Sequence, residues 1–173
     1  MDPAIRPVSS IDELTTAVEV IYAQVADMIS QNSPHYRDVP KYFPTYQELM
    51  LVAELDGEIV GAILGYGPEE GPVGQFSVLV KGLGVSEQQR GRGLGRLLLE
   101  ELETRAAAMG AVEVHLGAVP SARAFYTRLG YSGKSRMHKA LTGNGVARYG
   151  TGQERQLRLE ELRARRIKRI TSP

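Results

Sequence analysis

The stretch from Phe76 to Arg96 constrains this chain most. Phe76 to Val85 is a largely apolar run and reads as a buried strand. It leads into Arg90-Gly91-Arg92-Gly93-Leu94-Gly95-Arg96, where three glycines alternate with larger residues. Leu94, Leu98, Leu102 and Ala106 then recur at the spacing of one helix face. The glycines therefore sit at a strand-to-helix turn. There, backbone N–H groups lack intrahelical partners and meet the positive end of the helix dipole. Glycine lets a ligand come close to the backbone, so such a turn is suited to an anion. Arg90, Arg92 and Arg96 flank it. Cations are unfavourable at a helix N-terminus, and a bound polyphosphate would give all three a reason; a solvated basic helix start is the alternative. A P-loop would end in Gly-Lys-Ser/Thr, and a dinucleotide turn would read Gly-x-Gly-x-x-Gly. Gly91-x-Gly93-x-Gly95 is neither.

The chain of 173 residues is 42% hydrophobic, enough for one globular domain with an appendage. It has no cysteine, which removes disulfides, thiolate metal ligands and a cysteine nucleophile together. No apolar run approaches a membrane span, and Met1 to Arg6 lacks a basic segment followed by an apolar one. A cytoplasmic protein is expected. Charge is uneven. Residues 154–170 carry seven Arg or Lys against three Glu, while the net charge of the whole chain is +1.

In order, Ala4 to Val8 is a short first strand. Ser10-Ile11-Asp12-Glu13 forms a capping box, and Leu14, Val18, Ile21, Val25 and Met28 predict a helix from 11 to about 30. Residues 32–44 combine three prolines and three aromatic rings without a period, and read as a loop or short broken helix. A connector and a substrate-facing loop are both open readings of it. Residues 50–55 and 58–66 form a hairpin across Asp56-Gly57. Val112 to Leu116 is a further strand, Ser121 to Leu129 a short helix stopped by Gly130, and Arg136 to Leu141 a last strand. Glycines at 143, 145, 150 and 152 precede a basic helix from about Gln153 to Ile170. The expected division is a domain over 1–142 and a linker with C-terminal helix over 143–173.

Two motifs carry a resemblance. Arg90-Gly91-Arg92-Gly93-Leu94-Gly95 resembles the Arg/Gln-x-x-Gly-x-Gly/Ala turn of the GNAT family, the GCN5-related N-acetyltransferases. Ala122-Arg123-Ala124-Phe125-Tyr126-Thr127-Arg128-Leu129-Gly130-Tyr131 resembles that family's Ala…Phe-Tyr helix ending in Leu-Gly-Phe/Tyr. The two stand in the family's order, separated by one helix and one strand. Leu83-Gly84-Val85 is similar to its Leu-x-Val strand end. The resemblance covers roughly residues 4 to 141. It implies an α/β GNAT fold: a mixed, twisted sheet of about six to seven strands, splayed at the cofactor site, with helices on both faces.

It also implies acetyl-coenzyme A (acetyl-CoA) as co-substrate, without a metal. The pyrophosphate would lie on Arg90, Gly91, Arg92, Gly93, Leu94, Gly95 and Arg96, and the pantetheine along Leu83, Gly84 and Val85. Ser121, as a helix cap, and Phe125 would complete the cofactor site. Many relatives have an Asn just before that helix; Gly117 to Ser121 here has none.

Acetyl transfer to an amine needs a neutral amine and a proton for the leaving thiolate. Tyr126 aligns with the family's acid. Relatives often place a Glu base on the strand before the turn, but this strand offers Gln75, Ser77 and Lys81. Glu54, His35 and His115 are the candidate bases, with His115 chosen because an imidazole titrates near neutrality. The expected activity is N-acetylation of a primary amine by direct attack in a ternary complex, on a small molecule or a peptide. A non-catalytic acyl-CoA-binding or interaction module is the rival. A homo-oligomer through the C-terminal helix is expected, and neither membrane nor nucleic acid is an expected partner.

Overall fold

The computed structural model describes residues 3–25, 37–67 and 77–141. The expected C-terminal helix and its linker lie outside them, as do Met28, His35, Gln75 and Phe76. The strands are β1 (Ala4–Pro7), β2 (Met50–Leu55), β3 (Glu58–Tyr66), β4 (Ser77–Val85), β5 (Glu113–Gly117), β6 (Ser132–Gly133) and β7 (Arg136–Ala140). The helices are α1 (Ile11–Tyr22), α2 (Val39–Tyr46), α3 (Leu94–Ala108) and α4 (Arg123–Arg128). The strands form one mixed sheet in the order β1-β2-β3-β4-β5-β7-β6. Only β4 and β5 run parallel. Their connection contains α3, the crossover that parallel neighbours require.

Local chemistry explains most boundaries. Ser10 caps α1 by accepting the Glu13 N–H at 3.1 Å. The Glu13 carboxylate reaches past the cap to the Ser9 N–H, at 2.6 Å, and also accepts from the Arg6 guanidinium. Arg6, in turn, bonds Glu54 of β2. Arg6 holds the Glu13 carboxyl down at about 2 from its usual 4.5, against a smaller opposing effect of burial. The Asp56-Gly57 turn has φ of +52° and +82°, as a two-residue hairpin requires. Both α3 and α4 end in Schellman motifs. Gly110 and Gly130 have φ of +90°, and Ala111 and Tyr131 donate to Ala106 and Tyr126.

One expectation changes: helix α1 ends at Tyr22, residues 23–25 form a turn, and the rest of the expected helix, residues 26–30, lies outside the described residues. Of the two readings of the proline-rich stretch, loop or short broken helix, its described part takes the helix: α2 forms because Pro40 suits a first turn and Val39, Phe43 and Tyr46 make a buried face at i, i+4 and i+7.

α1 and α3 cover opposite faces of the sheet. A Cβ on Gly84 would lie 2.7 Å from Ile21 Cα of α1. One on Gly61 would lie 3.2 Å from Leu98 Cδ1, and one on Gly65 2.7 Å from Leu102 Cδ1, both of α3. Leu94, Leu98, Leu102 and Ala106 are buried as the periodicity predicts, and Leu99 joins them. Each fully buried leucine contributes about 1.5–3 kcal/mol of transfer free energy.

Candidate active site

The site begins as a change of pairing along β4. Ser77 to Val80 are in register with Glu113 to Leu116 of β5. From Lys81 to Val85, β4 continues beside β3 alone. The register explains where the strands part. Gly65 opposes Val80 and Leu64 opposes Gly82, so Lys81 is the extra residue of a β-bulge. A bulge bends its strand and adds twist, which carries β4 away from β5. The edge of β4 that faced β5 is left with backbone groups free for a ligand.

The gap opens into a cleft of about 540 Å³. Lys81 to Val85 form one wall. Ile21, Gln24 and Val25 at the end of α1 form another. Ser121, Ala122, Phe125 and Tyr126 come from the segment around α4, and Arg90 and Gly95 from the glycine turn. Gln24 Oε1 is buried with no hydrogen-bond partner among the described residues. No carboxylate lines the cleft among the described residues; its only charged lining groups are Lys81 and Arg90.

The glycine turn sits at the far end of the open edge. Gly91 and Gly93 have φ of +77° and +81°, with open space around a would-be Cβ. Their need for glycine is thus conformational. Gly93 is the N-cap of α3, and the first helical bond runs from the Leu97 N–H to the Gly93 carbonyl at 3.0 Å. The N–H groups of Leu94, Gly95 and Arg96 precede that ladder and are oriented for an anion. Leu94 turns its side chain into the core, so only its backbone serves the turn. A Cβ on Gly95 would lie 3.5 Å from Phe125 Cζ, so the aromatic ring closes the turn from the α4 side. The three arginines separate. Arg90 lines the cleft, Arg92 donates to Gln89, and Arg96 pairs with Glu100 at 2.8 Å and borders a second groove of about 270 Å³.

Tyr126 is buried and lines the cleft. Its ring packs edge-on against Phe125, with centroids 5.0 Å apart, and against Tyr131 at 5.9 Å. Tyr131 donates to Glu103 of α3 at 2.9 Å, and Lys139 of β7 donates to the other carboxylate oxygen at 2.7 Å. Burial, and then the Glu103 charge, raise the Tyr131 phenol well above its usual 10. Tyr131 is therefore a neutral clamp that fixes the ring beside it. Sequence reasoning had given it no role beyond the motif. Ser121 lines the cleft but does not cap α4: it lies in a 3-10 turn, Pro120–Ala122, and Ala122 holds the N-cap position without a side-chain bond.

His115 is half-buried on β5, in register with Leu79 of β4 and His138 of β7. Leu116 lines the cleft, and its neighbour His115 points to the other face of the sheet. Leu79 is also in register with Tyr66, so His115 shares the face of Tyr66, which stacks on Tyr42 of α2 at 4.1 Å. Burial lowers the His115 pKa from 6.5, and Arg136 adds to this against the opposing Glu113. Glu54 is committed to Arg6. Among the described residues no helix is long and apolar enough to cross a membrane, and no cluster of three His, Asp or Glu could hold a metal.

The profile of the family described as the acetyltransferase (GNAT) family matches residues 18–131, more than half of the chain. An acetyltransferase of Pectobacterium atrosepticum is 39% identical over 70 residues. That match covers 40% of this chain and 45% of the relative, so the chain spans less than half the length of the curated relative it matches. Solved structures share the fold. A GNAT-family acetyltransferase from Staphylococcus aureus Mu50 superposes with a TM-score of 0.66 at 16% identity, covering 81% of this chain and 99% of that one. One from Brucella melitensis, in complex with acetyl-CoA, gives 0.61 at 21% identity, covering 82% and 90%. With a sheet that parts between its parallel strands and a glycine turn at the mouth of the gap, the chain belongs to the GNAT acetyltransferase family.

Proposed function

We propose that the protein is an N-acetyltransferase that uses acetyl-CoA as co-substrate and moves its acetyl group to a primary amine. The observation that carries this reading is the open half of β4. It is a strand edge unpaired on one side, with a helix N-terminus at one end of its cleft and a buried tyrosine on the wall. The Brucella relative holds acetyl-CoA, and the reading brings that ligand to this cleft. The backbone of Leu83, Gly84 and Val85 would meet the pantetheine amides. The turn from Gly91 to Arg96 would take the pyrophosphate, with Arg90 and Arg92 adding charge, and Ser121 and Phe125 would close the α4 side.

Acetyl transfer is then direct attack in a ternary complex. The amine nitrogen adds to the thioester carbonyl, and the C–S bond breaks. The thiolate takes a proton from the Tyr126 hydroxyl. The chain has no cysteine to carry an acyl-thioester intermediate. His115 is the proposed acceptor of the amine proton; it does not line the cleft and lies on the face opposite to Leu116, so the transfer would run through water. Burial holds its pKa below the ordinary value, which favours the neutral imidazole that a base requires. We place the enzyme in the cytoplasm and assign the glycine-linked basic segment 143–173 to self-association. Truncation after Leu141 tests the latter, with loss of oligomer and retained cofactor binding expected.

The lack of a carboxylate among the lining residues favours one rival, a non-catalytic acyl-CoA-binding module. A panel of primary amines, with free coenzyme A as the readout, separates the two. Amine-dependent release is expected. Acetyl-CoA binding without release on any amine would leave the binding module. Gly93→Asp puts a carboxylate at the phosphate turn and is expected to weaken acetyl-CoA binding by about tenfold or more. Gly93→Ala controls for backbone strain at φ of +81°. Equal affinities in the two variants would remove the anion site from the reading.

A further inference from the structure

Lys81 is a charged residue inside an apolar strand, at the point where the gap opens. It is the bulged residue, opposed by no residue of β3. It is one of the residues that line the cleft. Among the described residues it makes no side-chain hydrogen bond and no ion pair within 4 Å. Asp38, at the start of α2, acts on it only from beyond ion-pair distance. Burial lowers its pKa from 10.5, and Asp38 opposes the shift. A half-buried cation without a direct partner costs stability, and such groups concentrate at functional sites.

The anion that Lys81 lacks is not on the proposed cofactor. Lys81 lies four strand residues before Val85, about 13 Å at ~3.3 Å per residue, and the glycine turn is further still. A pyrophosphate on that turn is served by Arg90 and the α3 N-terminus. At the Lys81 end, pantetheine and thioester carry no charge. Among the described residues only Asp38 offsets its charge, from beyond ion-pair distance, and an acceptor could bring the direct counter-charge. An acceptor that was only an ammonium would be repelled there.

Resting on the acetyltransferase reading above, we propose that Lys81 is a specificity-determining residue that binds a carboxylate on the acceptor. The substrates would then be short amino-carboxylates, of which free α-amino acids are the type, rather than carboxylate-free amines or internal lysines of proteins.

The test compares kcat/KM for amino acids with the amines that lack only their carboxylate, such as L-leucine against 3-methylbutylamine and L-phenylalanine against 2-phenylethylamine. A peptide amide with a free N-terminus is the third arm. Wild type is expected to prefer the amino acid by about tenfold or more, chiefly through KM. Lys81→Met should abolish the preference while retaining acetyl-CoA affinity, and Lys81→Arg should restore part of it. Equal or better use of the carboxylate-free amine or the peptide by wild type overturns the assignment and leaves acetyl transfer standing. So does an equal loss on both members of a pair in Lys81→Met, which would mark a role in the reaction step. Absence of turnover on every amine would bring down the acetyltransferase reading and this inference with it.

Discussion

The two halves of β4 adjoin in one strand and have opposite duties. Ser77 to Val80 pair with β5, Leu79 and Val80 pair with β3 as well, and Val78 and Val80 enter the core. Lys81 to Val85 are paired on one side and form the wall of a cleft. Lys81, Gly82 and Gly84 mark the second half in the sequence, but they do not by themselves make its edge open. The difference lies in the neighbour: β5 runs on only to Gly117, and one bulged residue turns β4 away from it. A site can thus be made by withholding hydrogen bonds from a strand that is otherwise fully built.

The largest expected effect comes from the far wall of the cleft. Tyr126→Phe is expected to lower kcat by about 10²–10⁴-fold with little change in acetyl-CoA affinity, the range for a positioned general acid. Wild-type kcat, with chemistry rate-limiting, would make Tyr126 a packing residue. His115→Gln should cost less, about 10²-fold. Its sharper signature is in pH: wild-type kcat/KM should fall with acid through a pKa below the ordinary 6.5, and that limb should disappear in the variant. A retained limb assigns the proton to another group.

Two stability measurements address the halves directly. Val78→Ala, in the half paired with β5, removes fully buried methyl groups and should cost about 1–3 kcal/mol while the folded protein keeps its acetyl-CoA affinity. Gly84→Ala, in the open half, pushes a methyl group against the α1 backbone, 2.7 Å from Ile21 Cα, and should cost a similar ~1–3 kcal/mol. It should also weaken the cofactor, because Ile21 and Gln24 line the same cleft. Equal affinities in the two variants would erase the proposed contrast between the halves.

The smallest effect is expected away from the cleft, at Glu13. Its carboxyl is held at about 2 in the fold, below the ordinary 4.5, so between these values the unfolded chain binds more protons. Stability should therefore fall as pH drops from about 4.5 towards 2, and this contribution is fully present above that window. Glu13→Gln should flatten the slope there, read by urea melts at stepped pH, while leaving acetyl-CoA binding at pH 7 intact.

The sequence by itself determined what depends on neighbours along the chain. The Asp56-Gly57 hairpin, the Ser10 cap, the glycine turn, the α3 stripe from Leu94 to Ala106 and the Gly130 stop are local, and all were legible. So was the family, because its motifs sit on those same local devices. α2 was half-visible: its prolines hid a buried face that Val39, Phe43 and Tyr46 already spelled out. The tertiary structure alone decided what depends on residues far apart. The parting of β4 from β5 at Val80, the bulge that isolates Lys81, the face His115 shares with Tyr66 and Tyr42, and the Glu103 clamp on Tyr131 are all such juxtapositions. A single lysine in an apolar run was the one local hint of that arrangement. Backbone anion sites are written in turns and helix starts, whereas an acceptor site is assembled from side chains that meet only when the sheet closes around them.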